Sequence, residues 1–476
     1  MLRIFSMVGL AIYFAGLLYA VTREKKNHSV MDYFFAGRSL PYWALSITFI
    51  ASWWGAGSAL STADLAYEDG LGAFWYYGVP VLLSTFLMIL SAGGIRRVGY
   101  LTQGRMMEAR YSSLTAKILS FLVLIFMVFN AASQMVGIGD FFGTYLGLSY
   151  EFAVLAGTVI VLIYSMFGGF RGVVLTDIIQ FVLLVISAVV VFLVGYGKAG
   201  GMEGIRAAAQ FREKTDFLSF SAGASKYSMY VITFGCAWMI QANVWQRISA
   251  ARTDGDARKM TVMSFFAYIP LYLIVVLTGM AGLALYKELP QGGVVTAIVM
   301  DHMSPFLGAL VFIGISAAIM STMDSLINTA SMTLILDLMP ADPDENKQLQ
   351  RSRMATLGVT AAALLISMKV RSILEISWMA SDIITTGVFV PLILGFLWKR
   401  GNTKGAMASM VAGFAYCFYN LLISMGVDLP SFWKPQSAQQ VILGAAMSLV
   451  LYVSVSLLTR PEIRKAEAFM TLAKGK

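Results

Sequence analysis

Apolar runs long enough to span a bilayer recur along nearly the whole chain, at about 4–21, 42–66, 71–95, 113–147, 150–168, 173–197, 226–246, 261–286, 305–339, 355–370, 373–398, 403–425 and 437–458. Hydrocarbon offers no partner for an unpaired backbone N–H or C=O, so a run of about 20 apolar residues is stable there only as a helix. The pattern predicts an all-α polytopic membrane protein with about 13 transmembrane helices. Charged residues make up only 13% of the 476, against roughly a quarter in soluble domains. Little sequence is left for a separate soluble domain. The first run has only Arg3 ahead of it, lacks an Ala-x-Ala cleavage site and is followed by Arg23, Lys25 and Lys26. It reads as a retained helix with the N-terminus outside. Cys236 and Cys417 lie far apart in apolar runs, which implies no disulfide framework.

The basic residues give the orientation. With an external N-terminus, the cytoplasmic connections hold Arg23/Lys25/Lys26/Arg38, Arg96/Arg97/Arg105/Arg110, Arg247/Arg252/Arg258/Lys259, Lys347/Arg351/Arg353, Lys399/Arg400/Lys404 and a basic tail. Most of the 35 Lys and Arg then fall inside, as cytoplasmic loops require. The net charge of +9 therefore reports topology and not a nucleic-acid partner. A plasma (inner) membrane location, with the C-terminus in the cytoplasm, follows. The polar stretch near 198–226 separates five segments (42–200) from five more (226–398), with an extra helix before (1–41) and two helices with a basic tail after (399–476). Two units with an odd number of spans enter the membrane from opposite sides, the topology of an inverted repeat.

The first segment of each unit is interrupted. One reads Ile50-Ala51-Ser52-Trp53-Trp54-Gly55-Ala56-Gly57-Ser58, the other Thr233-Phe234-Gly235-Cys236-Ala237-Trp238-Met239-Ile240-Gln241-Ala242-Asn243. Glycine weakens a helix, and unwound backbone at this depth is tolerated where it lines a cavity. Close helix packing through small residues would give the same composition. Segment nine carries Asp324 mid-membrane, with Ala318, Ser321, Thr322 and Ser325 on one helical face. Charge there costs roughly 2.5–3.5 kcal/mol on insertion scales. Hydroxyls beside a carboxylate, with no Cys or His, suit a hard cation. Ser and Thr bonding their own helix, with the Asp paired in the bundle, is the alternative.

Three stretches resemble the sodium/solute symporter family. The first is Tyr164-Ser-Met-Phe-Gly168-Gly169-Phe170-Arg-Gly-Val-Val-Leu-Thr176-Asp177-Ile-Ile-Gln180. The others are Ala317-Ala318-Ile-Met-Ser321-Thr322-Met-Asp324-Ser325, and Gln246-Arg247 ahead of a short basic loop. The likeness runs through roughly residues 32–410. It implies a LeuT-type core of ten helices in two inverted repeats, with Na+ as the coupling ion. By position, it implies a sodium site made by the carbonyls of Ala51, Trp54 and Ala318 and the hydroxyls of Ser321 and Thr322. Some members resemble the chain in a second cation site, which here would involve Asp177, Ser321, Asp324 and Ser325. Asp324 could equally accept a proton or pair with a neighbouring donor. Local echoes of the choline-transporter branch include Ser52-Trp53-Trp54-Gly55 and Met323-Asp324-Ser325, but Asn130 and Gln241 stand where that branch carries tryptophans.

Polar side chains are few within the core segments. Ser52, Ser58, Asn130, Gln134 and Gln241, flanked by Trp53, Tyr76 and Trp238, are the candidate solute contacts. Each could instead make an interhelical hydrogen bond. No Arg or Lys sits mid-helix in segments two, three, four or seven, which favours a small neutral or zwitterionic polar solute such as a sugar or amino acid. The function expected is sodium-coupled symport by alternating access. A choline, quaternary-amine or carboxylate transporter, or a non-transporting membrane sensor, is the alternative. No converged catalytic set, phosphate-binding loop or repeated pore loop is visible, so an enzyme, an ATP-driven pump or a channel is not expected. The partners expected are the lipid bilayer and a small solute, with the protein a monomer. Cysteines introduced by Asp216→Cys and Lys347→Cys, with Cys236 and Cys417 replaced by Ser, test the topology. An impermeant maleimide added to whole cells should label the first and spare the second.

Overall fold

The computed structural model describes residues 1–23, 29–424, 427–430 and 438–475. Lys25 and Lys26 of the first basic group lie outside the described residues. Helices follow one another from end to end. Helix α1 (Leu2–Arg23) and the short α2 (Val30–Phe35) lead to α3 (Tyr42–Ala51), which stops mid-membrane. After a linker and a widened turn, Gly57–Ser61, the chain continues as α4 (Thr62–Asp69), α5 (Gly78–Val98), α6 (Gln103–Arg110) and α7 (Ser113–Leu146). Next come α8 (Tyr150–Lys198), α9 (Gly201–Phe211), α10 (Phe220–Met239), α11 (Ala242–Ala250), α12 (Asp254–Leu285), α13 (Val294–His302) and α14 (Pro305–Thr333). The last are α15 (Glu345–Lys369), α16 (Ile373–Gly387), α17 (Phe389–Leu397), α18 (Thr403–Ser424), α19 (Ala438–Leu458) and α20 (Ile463–Lys474).

Local sequence sets many of these boundaries. Ser112, Ser149, Thr253 and Ser304 each accept a hydrogen bond from the backbone N–H three residues on, capping α7, α8, α12 and α14. Pro305 follows the last of these caps, where its missing N–H costs nothing. Expected segments five and six run together in α8, broken at Gly169 (φ 55°, ψ −163°), a conformation that essentially only glycine adopts. Segment seven divides at Ile240–Gln241 into α10 and α11, and segment eleven bends by 43° between α16 and α17.

Among the described residues, eight helical stretches are long and apolar enough to cross a membrane, or nine with the bent pair. The other expected segments fall on shorter or more polar helices, including Tyr42–Ala51 and Tyr150–Met166. Every residue of α14 from Val311 to Thr333 is buried, so this helix stands at the centre of the bundle. It packs on α1, α7, α8 and α15. The basic tail folds as α20, which buries Ala466, Phe469 and Met470 against the rest of the protein.

Small residues let these helices approach closely. A Cβ at Gly279 of α12 would lie 2.1 Å from the Ala63 carbonyl oxygen, backbone that cannot step aside. At Gly358 of α15 nothing lies within 4 Å. Gly279→Val should destabilise the protein by about 1–3 kcal/mol through overpacking, visible as a lower melting temperature in detergent. Gly358→Val should leave it nearly unchanged.

Candidate cation and solute site

The break after α3 leaves backbone groups without helical partners inside a dry bundle, and neighbouring helices supply them. The Ala51 carbonyl accepts hydrogen bonds from Ser321 Oγ (3.1 Å) and Thr322 Oγ1 (2.9 Å) of α14. Both hydroxyls also reach the Ala318 carbonyl, at 3.0 and 3.4 Å. The Ser52 carbonyl accepts from Asn243 Nδ2 (3.2 Å) and the Phe49 carbonyl from Tyr268 Oη (3.3 Å). On the other side of the linker, the Ala56 N–H donates to Gln134 Oε1 of α7 at 2.8 Å. Gly55 makes that contact possible, since a Cβ there would lie 2.1 Å from the same oxygen. Each unmade bond would cost several kcal/mol in a medium without water.

Four of the five expected sodium-site residues therefore meet directly: Ala51, Ala318, Ser321 and Thr322. The donors are two carbonyl and two hydroxyl oxygens with no charged group among them, the chemistry of a weakly held hard cation. Trp54 lies three residues beyond Ala51 in the linker, and its ring packs on Tyr272 at 4.7 Å. The hydroxyls of Ser321 and Thr322 turn to Ala51 and not to the Trp54 carbonyl.

The second group has an occupant that the sequence did not suggest. Arg247, read above as a cytoplasmic residue, is fully buried, as is Asp177, with Arg247 Nη2 3.6 Å from Asp177 Oδ2. Arg247 also donates to Ser325 Oγ (2.6 Å), the Asn243 carbonyl (2.9 Å) and Thr48 Oγ1 (3.2 Å), and lies over the Phe170 ring. Thr48 in turn donates to Asp177. The reading of Arg247 as part of a polar connection is thus corrected, because the chain continues past the break at Ile240–Gln241 as α11, all nine residues of which are buried. Of the four residues expected to share a second site, Asp177 and Ser325 are joined through this guanidinium. Ser321 faces Ala51 instead. Both carboxylate oxygens of Asp324 are buried without a hydrogen bond.

A cavity with about 40 Å³ open to a water-sized sphere lies beside the linker. Ser52, Trp53, Asn130, Gln134, Trp238 and Gln241 line it, together with Tyr77, Val81, Tyr272, Thr322, Leu326 and Ser377. Two of the expected solute residues face elsewhere. Ser58 bonds Tyr272 Oη at 2.8 Å, and Tyr76 packs among Tyr227, Tyr230 and Phe234. Sequence reading missed Tyr77, Tyr272 and Ser377. Tyr77 had a signal, because Gly57, where the helix resumes after the break, is the gap its hydroxyl fills. The Trp53 indole N–H and Gln241 Oε1 are buried with no hydrogen-bond partner, leaving one donor and one acceptor unfilled among the lining residues.

Comparison with known proteins gives this geometry a family. Residues 33–413 match the family model described as the sodium:solute symporter family. The chain belongs to that family. Sodium is accordingly its coupling ion and a small solute its cargo, in a multi-pass membrane protein. The chain is 24% identical to the sodium/glucose cotransporter of Vibrio parahaemolyticus, covering 86% of this chain and 83% of that one. It is 26% identical to the sodium/pantothenate symporter of Escherichia coli, covering 89% and 90%. An osmoregulated proline transporter of Bacillus subtilis is 24% identical, covering 95% of each. In three dimensions the chain is similar to a substrate-bound, outward-open Na+-coupled sialic acid symporter, with a TM-score of 0.77, 18% identity and coverage of 96% and 98%. A nucleobase-cation-symport-1 family transporter in a closed conformation gives 0.57, 12%, 91% and 97%. These likenesses establish the LeuT-type fold.

Breaking the Arg247–Asp177 pair from one side strands a buried charge, at a cost of about 3–5 kcal/mol. Arg247→Gln and Asp177→Asn should each lower the melting temperature markedly, and the double variant should recover much of the loss. Additive losses in that cycle would show the two charges are uncoupled.

Proposed function

We propose that this symporter imports a small, uncharged or zwitterionic polar solute with sodium, through two inverted five-helix units at about 42–200 and 226–398 and with its N-terminus outside. Sodium is held by the carbonyls of Ala51, Trp54 and Ala318 and the hydroxyls of Ser321 and Thr322. The solute occupies the neighbouring cavity. The observation that carries this reading is that Thr322 serves both places, since its hydroxyl bonds the Ala51 carbonyl while its side chain lines the cavity. Ser52, next in sequence to Ala51, lines the cavity too.

Coupling follows from that shared border. A ligand shifts an equilibrium only by its differential affinity for the two states, and linkage is reciprocal. Sodium bound between the linker and α14 holds them in one arrangement, and the same arrangement shapes the solute wall. Loss of sodium to the cytoplasm frees the linker from α14 and weakens the solute's hold. Among the described residues the cavity lining contains no Asp, Glu, Lys or Arg, so an ionic solute would find no fixed counter-charge there. The free Trp53 N–H and Gln241 carbonyl match a solute that both accepts and donates.

A second reading rests on the four aromatic rings of Trp53, Tyr77, Trp238 and Tyr272 around the same space, with Tyr77 and Trp238 5.0 Å apart. Such faces suit a quaternary ammonium group. A thermal-shift screen with sodium present, comparing sugars, amino acids, betaines and choline, chooses between the two. Uptake of the solute so found into vesicles should depend on an inward sodium gradient. Ser321→Ala and Thr322→Ala should each raise the half-saturating sodium concentration by about tenfold, the equivalent of one lost ligand at about 1.4 kcal/mol. Unchanged sodium dependence in both would remove them from the ion site.

A further inference from the structure

The second broken helix has the same unpaired backbone as the first, and one group that satisfies it comes from a connection between segments. Helix α10 ends at Met239, so the carbonyls of its last turn lose their helical partners. Those of Ala237 and Trp238 accept the Ile240 and Gln241 N–H groups, each at 3.2 Å. The Met239 carbonyl accepts from Trp245 Nε1 at 2.7 Å, and the Ile240 carbonyl from Gln103 Nε2 at 2.8 Å. Gln103 is the buried first residue of α6. Its bond sits on a partition. Gln241 lines the solute cavity, while the next residue, Ala242, lines a second cavity with Gln103, Trp245, Ser249 and Asp337. That second cavity has about 10 Å³ open to a water-sized sphere, and Leu101 and Thr102 of the α5–α6 connection place it toward the proposed cytoplasmic face. Gln103 Oε1 and Ser249 Oγ are buried without a hydrogen-bond partner, so the chamber offers an acceptor and a hydroxyl to a polar molecule.

Two groups of helices face each other across this partition. Helices α3 and α11 are tied by Asn243 Nδ2 to the Ser52 carbonyl (3.2 Å) and by Arg247 Nη2 to Thr48 Oγ1 (3.2 Å). Helix α6 is tied to the end of α14. Asp337, just beyond α14, accepts from Thr102 Oγ1 at 2.6 Å, and Arg105 Nη2 donates to the Leu336 carbonyl at 3.0 Å. The bonds from Ser321 and Thr322 to Ala51, and from Gln103 to Ile240, therefore cross one seam. Arg247 to Ser325 (2.6 Å) and Gln246 to Asn328 (3.1 Å) cross it too, at positions of α14 between Thr322 and Asp337.

Resting on the sodium-coupled reading above, we infer that Gln103 is the positioning residue of the cytoplasmic gate. Its amide holds the Ile240–Gln241 linker across the floor of the solute cavity. When sodium leaves and α3 parts from α14, α11 moves with α3 while Gln103 stays with α14. The bond to Ile240 then breaks, the two cavities join, and the solute leaves past Gln103 and Ser249. A single hydrogen bond suits a latch, because about tenfold in an equilibrium biases a gate and still lets it open in every cycle.

Ser249→Cys, in the full-length chain with Cys236 and Cys417 replaced by Ser, puts a thiol into the second cavity. In inside-out vesicles an impermeant maleimide should label this parent slowly in sodium and several-fold faster in potassium. Gln103→Met keeps the side-chain length but loses the donor, and should raise the rate in sodium about tenfold, toward the potassium value. Thr102→Val, which frees α6 from Asp337, should raise it a few-fold with Gln103 in place. Neither substitution should expose a control thiol at Ser409→Cys, a site buried between α18 and α19. Slow labelling in both variants, with the parent still sodium-dependent, would overturn the latch and leave the symport reading standing. Equal gains at the control thiol would overturn it too, as a general loss of packing. Labelling of the parent that ignores sodium would instead sink the coupled reading on which the latch rests.

Discussion

An interrupted helix in a dry bundle must have its free backbone groups satisfied from outside itself, and the rest of the site follows from that demand. The linker after Ala51 cannot turn to water, so α14, α11, α12 and α7 each lend a side chain: Ser321 and Thr322, Asn243, Tyr268 and Gln134. These bonds hold the linker open, with carbonyls facing α14 and a polar wall facing the cavity. Two of the groups that stabilise the break, Ser321 and Thr322, are also those proposed to hold the ion. Neutral oxygens suit that task, because a charge beside Ala51 would hold sodium too tightly to release it inside.

Charge is handled differently a few residues away. Asp177, Thr48, Arg247 and Ser325 form a closed network with no exposure, spanning α8, α3, α11 and α14. It joins the first core helix of each proposed unit to α8 and to α14, the helix that carries Ser321 and Thr322. A buried ion pair of this kind adds little net stability over apolar packing, but it penalises any arrangement that parts the partners. In a protein that must move between a few discrete states, that selectivity matters more than the energy of the pair.

Much of the fold was readable from periodicity and composition. Membrane-length apolar runs locate nearly every long helix, since hydrocarbon permits no other backbone structure. The spacing of Ala318, Ser321 and Thr322 put them on one face of α14, and the geometry brings that face to Ala51. Arg247 was misread because a basic residue near a segment end normally reports a cytoplasmic loop. Only the bend between α10 and α11 shows that this end folds back into the protein. Tyr76 was chosen where its neighbour Tyr77 faces the cavity, because a one-residue step on a helix turns a side chain by about 100° and irregular backbone at Trp75–Gly78 hides the register.

What the sequence determined by itself is local: which stretches are helices, where glycine and small residues break them, and which helical face of α14 carries oxygen. Those properties depend on hydrogen bonds and hydrophobicity within one segment. The tertiary structure decided which faces meet. It gave Ala51 to Ser321, a distance of 270 residues along the chain, and gave Asp177 to Arg247. Contacts of that kind are chosen by the packing of whole helices, whose small and bulky residues fit one arrangement. No single segment carries the information about which neighbour will complete it.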